Sequence, residues 1–213
     1  MKESIHSYRL SFCVHRMCSH KDLAKNSLRL MHWHLILLGV MSCIVGGWAV
    51  ADETDNRRVD ISLSIFPRIV AVDNQFREKL NADKKAYLLF VYDRDEKYAE
   101  ELANRMQEKN ANIGGMDVVT NVISVTAELD VNDPPTAVFL VEKLSSEQLT
   151  RVMDFSDKAH RLVFSPFLGD VERGVTVGIS VTNRVKPYFN LSALRQSKVS
   201  INALLMKMSK RHE

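Results

Sequence analysis

The side chains able to do chemistry are few, and their positions matter more than their number. Of seven histidines and three cysteines, only His160 and His212 lie beyond residue 51; Cys13, Cys18 and Cys43 all precede it. A zinc or copper site needs several nitrogen and sulfur ligands converging, and residues 52–213 do not supply them. A hydrolytic triad pairing His160 with Ser156 or Ser165 is conceivable. The Gly-x-Ser-x-Gly elbow that would present such a serine is missing, however, and "DKAHRLVF" places His160 in a surface turn between a helix and a strand. "GVTVG" (174–178) has the alternation of a strand with small residues, not the glycine spacing of a phosphate-binding loop. No catalytic residue, metal or cofactor is implied.

The acidic group Asp93, Asp95 and Glu96 stands where a buried strand meets a helix, the place where open α/β sheets bind ligands. "AYLLFVYD" (86–93) resembles the first strand of response-regulator receiver domains, which gather magnesium-binding acids there. The likeness stops at "TAVFLVEKL" (136–144), which offers Glu142 where a phosphorylatable Asp would stand. A calcium loop is excluded by Tyr98 at the position of the sharp-turn Gly. Solvated loop charges and the preference of helix N-termini for acids account for the cluster. A small-ligand site at these strand ends remains the alternative.

Compartment is set by the other end of the chain. Residues 31–51 lack Lys, Arg, Asp and Glu; an apolar run over 35–48 ends in Ala49-Val50-Ala51 and is followed by Asp52 and Glu53. A basic segment, an apolar run and a small-x-small end make a secretory signal peptide cleaved after Ala51. At ~1.5 Å per residue the stretch is also ~31 Å long, so an uncleaved inner-membrane anchor is the alternative. "VMSC" before Cys43 loosely matches a lipidation site, but apolar residues follow where a polar tether is expected. Each reading exports residues 52–213. Residues 1–30 have no clean period and form an extended n-region or an over-long start.

Beyond residue 51 the chain has 23 basic and 24 acidic residues and no Cys or Trp. With a net of −1, that domain is expected to lack the basic footprint of nucleic-acid binding. It must also fold without disulfides, although an exported compartment permits them. At ~160 residues a single core is sufficient.

The elements expected follow from period and punctuation. Residues 51–58 are a flexible polar lead-in. Residues 59–73 form a helix in which Pro67 is a kink or a start. Near-continuous apolar runs at 86–93, 136–142 and 161–167 are buried strands, joined by "NVISVT" (121–126). Glu96–Lys109 is a helix, and Ser145 with Gln148 is a capping box opening another. "GVTVGISVT" and "RVKPYFN" form a hairpin whose second strand, carrying Pro187, is an edge. Asn190 matches a glycosylation sequon but is placed to cap "LSALRQSKV". Ser200 is expected to cap a final helix that docks Ile201, Leu204, Leu205 and Met208, with Lys207, Lys210 and Arg211 in its last turn. The order gives one α/β domain over 52–213: a mostly parallel sheet flanked by helices, then a β-hairpin and two short helices.

The tail "GVTVGISVTNRVKPYFNLSALRQSKVSINALLMKMSKRH", with a secretory leader and "IFPRIVAVD" as first helix, resembles the YfiR-like family of exported bacterial regulators. The resemblance implies a periplasmic, non-enzymatic signalling adaptor. Its partner would be the periplasmic part of an inner-membrane diguanylate cyclase, restrained in cyclic di-GMP synthesis. Cysteine disulfides contribute to that role in the family, and residues 52–213 have none. The loop "SPFLGDVERG" (165–174) is the expected contact surface, with Asp170, Glu172 and Arg173 charged beside exposed Phe167 and Leu168. A homodimer remains open, and contact with the membrane would run only through an uncleaved leader.

Overall fold

A helix face of period 3.6, made by Val59, Leu63, Phe66 and Val70, is buried to 2% exposure or less. The computed structural model describes residues 53–213; the expected leader and the cleavage site after Ala51 lie outside the described residues. The face belongs to α1, which spans residues 53–71. Two expectations are corrected here. Residues 53–58 are not a flexible lead-in but the first turns of α1, and Arg58 ties them to the core. Pro67 does not start the helix, which is under way fourteen residues earlier. An interior Pro costs a helix about 3 kcal/mol, and burial of Phe66, Ile69 and Val70 around it offsets that loss.

The remaining elements are β1 (Ala86–Tyr92), α2 (Glu96–Lys109), β2 (Asn112–Ile113), β3 (Met116–Ser124), β4 (Ala137–Leu140), α3 (Ser146–Ala159) and β5 (Leu162–Ser165). They are followed by β6 (Val177–Val181), β7 (Val185–Asn190), α4 (Leu191–Gln196), α5 (Ala203–Met208) and β8 (Lys210–His212). The eight strands form one sheet in the order β2-β3-β1-β4-β5-β6-β7-β8. Only the β2/β3 and β6/β7 pairs are antiparallel. The α/β class, the mostly parallel sheet, the C-terminal hairpin and the two short helices are as the sequence predicts.

Strand alternation divides the core into two layers. Leu88, Phe90, Phe139 and Phe164 face α1 and α2. Leu89, Val91, Val138, Leu140 and Val163 face α3. In the first layer Phe66, Phe90, Phe139 and Phe164 form a chain of rings with neighbouring centroids 5.1–5.4 Å apart. Such contacts add to the burial of the rings themselves. The capping box opens α3 as expected, with Ser145 accepting from the Gln148 N–H and Gln148 reaching back to the Ser145 N–H. Gly178 in β6 is required by close approach: a Cβ there would lie 2.7 Å from the Ser165 carbonyl oxygen.

The C-terminal segment departs from expectation. Asn202, not Ser200, caps α5, its Oδ1 accepting from the Leu204 N–H. Ser200 is occupied by Asn74, which donates to its carbonyl and its hydroxyl. The chain is therefore pinned at Ile201 beside Asp73 before the helix begins. That pinning rotates α5 so that Leu204 and Met208 are 66% and 57% exposed, while Leu205 and Met206 pack on the core. Lys210 and Arg211 lie in β8, beyond the helix whose end they were expected to cap. Pro187 does not mark an edge either, because β8 pairs outside β7. The pairing begins at Tyr188, one residue past Pro187, so the missing N–H leaves no gap in the ladder.

Among the described residues no helix is long and apolar enough to cross a membrane.

Candidate functional site

The expected contact loop proves to be half core. Phe167 is 7% exposed and Asp170 is 0% exposed, so neither is a surface residue. The cause is local. The Asp170 carboxylate accepts from the Ser165 hydroxyl at 2.7 Å and from the Arg173 guanidinium at 2.8 Å, and Arg173 also donates to the Leu144 carbonyl. This network folds the loop back over the sheet and carries Phe167 inward with it. Leu168 (72% exposed), Glu172 and Arg173 remain on the surface as expected.

What the loop borders was not expected. A hollow of about 180 Å³ is lined by Leu168, Glu172, Val181, Tyr188, Lys210 and Arg58, among others. Arg58 reaches it from α1 and is nearly buried, donating to the carbonyls of Pro166 (2.6 Å) and Ile179 (2.9 Å). It thereby fastens the end of β5 and the middle of β6 to the N-terminal helix. The signal was present in the sequence, since stepping back four residues from Ser62 on the buried face of α1 lands on Arg58. Lys210 lies 4.1 Å over the ring of Tyr188, a cation–π contact. The phenol of Tyr188 is held above its ordinary pKa by burial and by its hydrogen bond with Glu172. Val181 and Val185, paired across the hairpin, are both exposed.

A second cleft, of about 710 Å³, opens at the carboxyl ends of β1 and β4. Strand order reverses there, because β3 and β4 lie on opposite sides of β1, as at the ligand crevice of open α/β sheets. Its anion-binding position is filled from within. One oxygen of Glu142 accepts the backbone N–H groups of Asp93 (3.3 Å), Arg94 (3.0 Å) and Asp95 (2.9 Å), and the other accepts from the Arg94 side chain. Burial alone would raise the Glu142 pKa; the N–H groups of Asp95 and Arg94, with the Arg94 side chain, outweigh it and hold the value below the carboxylate norm.

A depressed folded pKa stabilises above the unfolded value, and that stability is lost as pH falls through the folded one. Glu142→Gln should therefore flatten the decline in denaturant midpoint below about pH 4.3, the unperturbed Glu value. Parallel acid limbs for the two proteins would contradict this.

The acids expected at these strand ends are otherwise engaged. Asp95 caps α2 by accepting from the Tyr98 N–H, and Asp93 accepts from the Gln148 amide. Among the described residues no group of three or more His, Cys, Asp or Glu is placed to hold a metal ion. His160 closes α3 in a left-handed conformation (φ 58°). Both serine hydroxyls donate elsewhere: Ser156 to the Arg161 carbonyl and Ser165 to Asp170. Asn190 is buried with both amide atoms engaged, accepting from the Ala193 N–H and donating to the Val171 carbonyl. It serves as the helix cap, with its amide nitrogen committed to the Val171 carbonyl.

No family model and no curated protein matches the sequence. Among solved structures, the chain is similar to the crystal structure of a conserved domain protein from Vibrio cholerae O1 biovar eltor. The TM-score is 0.45 at 14% identity, with 64% of this chain and 57% of that chain covered. The chain thus spans less than two thirds of that neighbour's length.

Proposed function

We propose that this protein is an exported, non-enzymatic signalling adaptor that binds the periplasmic part of an inner-membrane signalling protein. The observation that carries the reading is a group of large apolar side chains left exposed: Leu168 and Val181, which line one hollow, and Val185, paired with Val181 across the hairpin. Leu168 sits on the loop tied by the Asp170 network, and Val181 on the strand that Arg58 fastens through the Ile179 carbonyl. Apolar residues on a preordered rim lose little conformational freedom when a partner covers them. The secretory leader supports the periplasmic location, and the YfiR-like tail supports a diguanylate-cyclase-type partner. The serines nearest His160 are spent on structural hydrogen bonds, which favours binding over hydrolysis.

The cleft at the ends of β1 and β4 favours a second reading, a small-ligand-binding domain of the periplasm. Glu142 already occupies the position where a ligand anion would bind, so the adaptor reading is preferred. The test is which envelope protein travels with the chain, and whether Leu168→Ser/Val181→Ser/Val185→Ser abolishes that association.

A further inference from the structure

Charge in this domain is divided by place, and the domain-wide sum conceals it. Residues 177–212 contain seven basic residues and no acidic one; residues 53–176 contain 16 basic and 22 acidic residues, a net of −6. The acid-free stretch is no loose tail. It builds β6, β7, α4, α5 and β8, and so forms one lateral edge of the sheet. The expectation that the domain lacks a basic footprint is thereby corrected.

All seven cations of this edge are exposed: Arg184 and Lys186 on the hairpin, Arg195 and Lys198 on and after α4, and Lys207, Lys210 and Arg211 on α5 and β8. None forms an ion pair with a carboxylate of the described residues. Interleaved with them are Val181, Val185, Leu204 and Met208, four of the six large hydrophobic residues exposed in the described chain. Among the described residues no strand pairs beyond β8, which is thus the terminal strand of the sheet on this side.

We propose that this edge is a docking surface for an acidic face of a protein partner. This rests on the adaptor reading and names the chemistry that the partner presents. Unpaired cations around exposed apolar residues match a surface of apolar groups ringed by carboxylates, and opposite charge steers the two together. Nucleic acid fits less well, because Tyr188, the aromatic residue on this edge beneath Lys210, is buried and offers no open face for base stacking. A bilayer fits less well, because α5 has only six residues and exposes just Leu204 and Met208 as large apolar groups.

The test is photo-crosslinking of the full chain in its own cell envelope. A photoreactive side chain is placed in turn at Val185, Leu204 and Met208 on the edge, and at Glu101 and Asn104 on α2. Adducts are expected from the edge positions, to one protein, on peptides of net negative charge. Lys186→Glu/Lys207→Glu/Lys210→Glu should lower their yield about tenfold. The same charge change placed elsewhere, Lys97→Glu/Lys109→Glu/Lys143→Glu, should leave the yield unaltered, with circular dichroism verifying that both variants fold. Adducts to a protein from α2 alone would overturn the edge while leaving the adaptor reading intact. Adducts to lipid or nucleic acid, or to peptides of no net negative charge, would also overturn the edge. Absence of any protein adduct at all five positions would overturn both.

Discussion

Lys79→Met is expected to lower unfolding stability by about 3–5 kcal/mol, a large share of the ~5–15 kcal/mol typical of a domain. Lys79 and Asp73 form an ion pair of 2.6 Å with side chains only 4% and 5% exposed. Burial pulls the Lys79 ammonium below its ordinary pKa although the Asp73 hydrogen bond and charge act the other way. The pair sits where the end of α1, the 3-10 turn Phe76–Lys79 and the pinned segment at Ile201 meet. Removing the ammonium leaves a buried carboxylate whose charge has lost its partner, and that isolation is the main cost. Asp73→Asn/Lys79→Met should recover much of the loss, because the amide oxygen can still accept from the Gln75 N–H without carrying a charge. Urea midpoints at unchanged slope measure both. A single variant that loses less than ~1 kcal/mol, or a double variant no more stable than the single, would contradict the account.

The second large effect falls in the loop of the candidate site. Asp170→Ala should cost roughly 2–4 kcal/mol, since it strips Ser165 of its acceptor and Arg173 of its counter-charge in a fully buried position. Leu168→Ser, two residues away on the same loop, should change stability by no more than about 0.5 kcal/mol because its side chain is in solvent. A loop made of surface residues alone would give small effects at both positions. Similar midpoints for the two variants would therefore restore Asp170 as a candidate contact residue.

This contrast marks where sequence reasoning ran out. Continuous apolar runs identify β1, β4 and β5, and the caps at Ser145 and Asn190 identify the helices they open, because both signals are local. Whether a charged loop residue faces water is not local. Asp170 and Phe167 are buried by a network reaching Ser165 and Leu144, and nothing in "SPFLGDVERG" announces it. The burial of Arg58 is likewise decided by the carbonyls of Pro166 and Ile179, more than 100 residues away. The final helix misled because its i, i+3, i+4, i+7 pattern is real, yet with Ser200 and Ile201 pinned only Ile201 and Leu205 of that set face the core, while Leu204 and Met208 turn outward. The basic edge was legible, since residues 177–212 plainly lack an acid, but a charge summed over the whole domain erases a pattern that exists only by position.

The central claim, that the chain works by holding a membrane-bound signalling protein, is met most directly by quantitative mass spectrometry of what it carries from crosslinked envelopes. The wild-type chain should recover one inner-membrane protein with a periplasmic part, and Leu168→Ser/Val181→Ser/Val185→Ser should together reduce that recovery about tenfold, a combined loss of ~1.4 kcal/mol. Equal recovery by both proteins, or no membrane protein enriched by either, would contradict it.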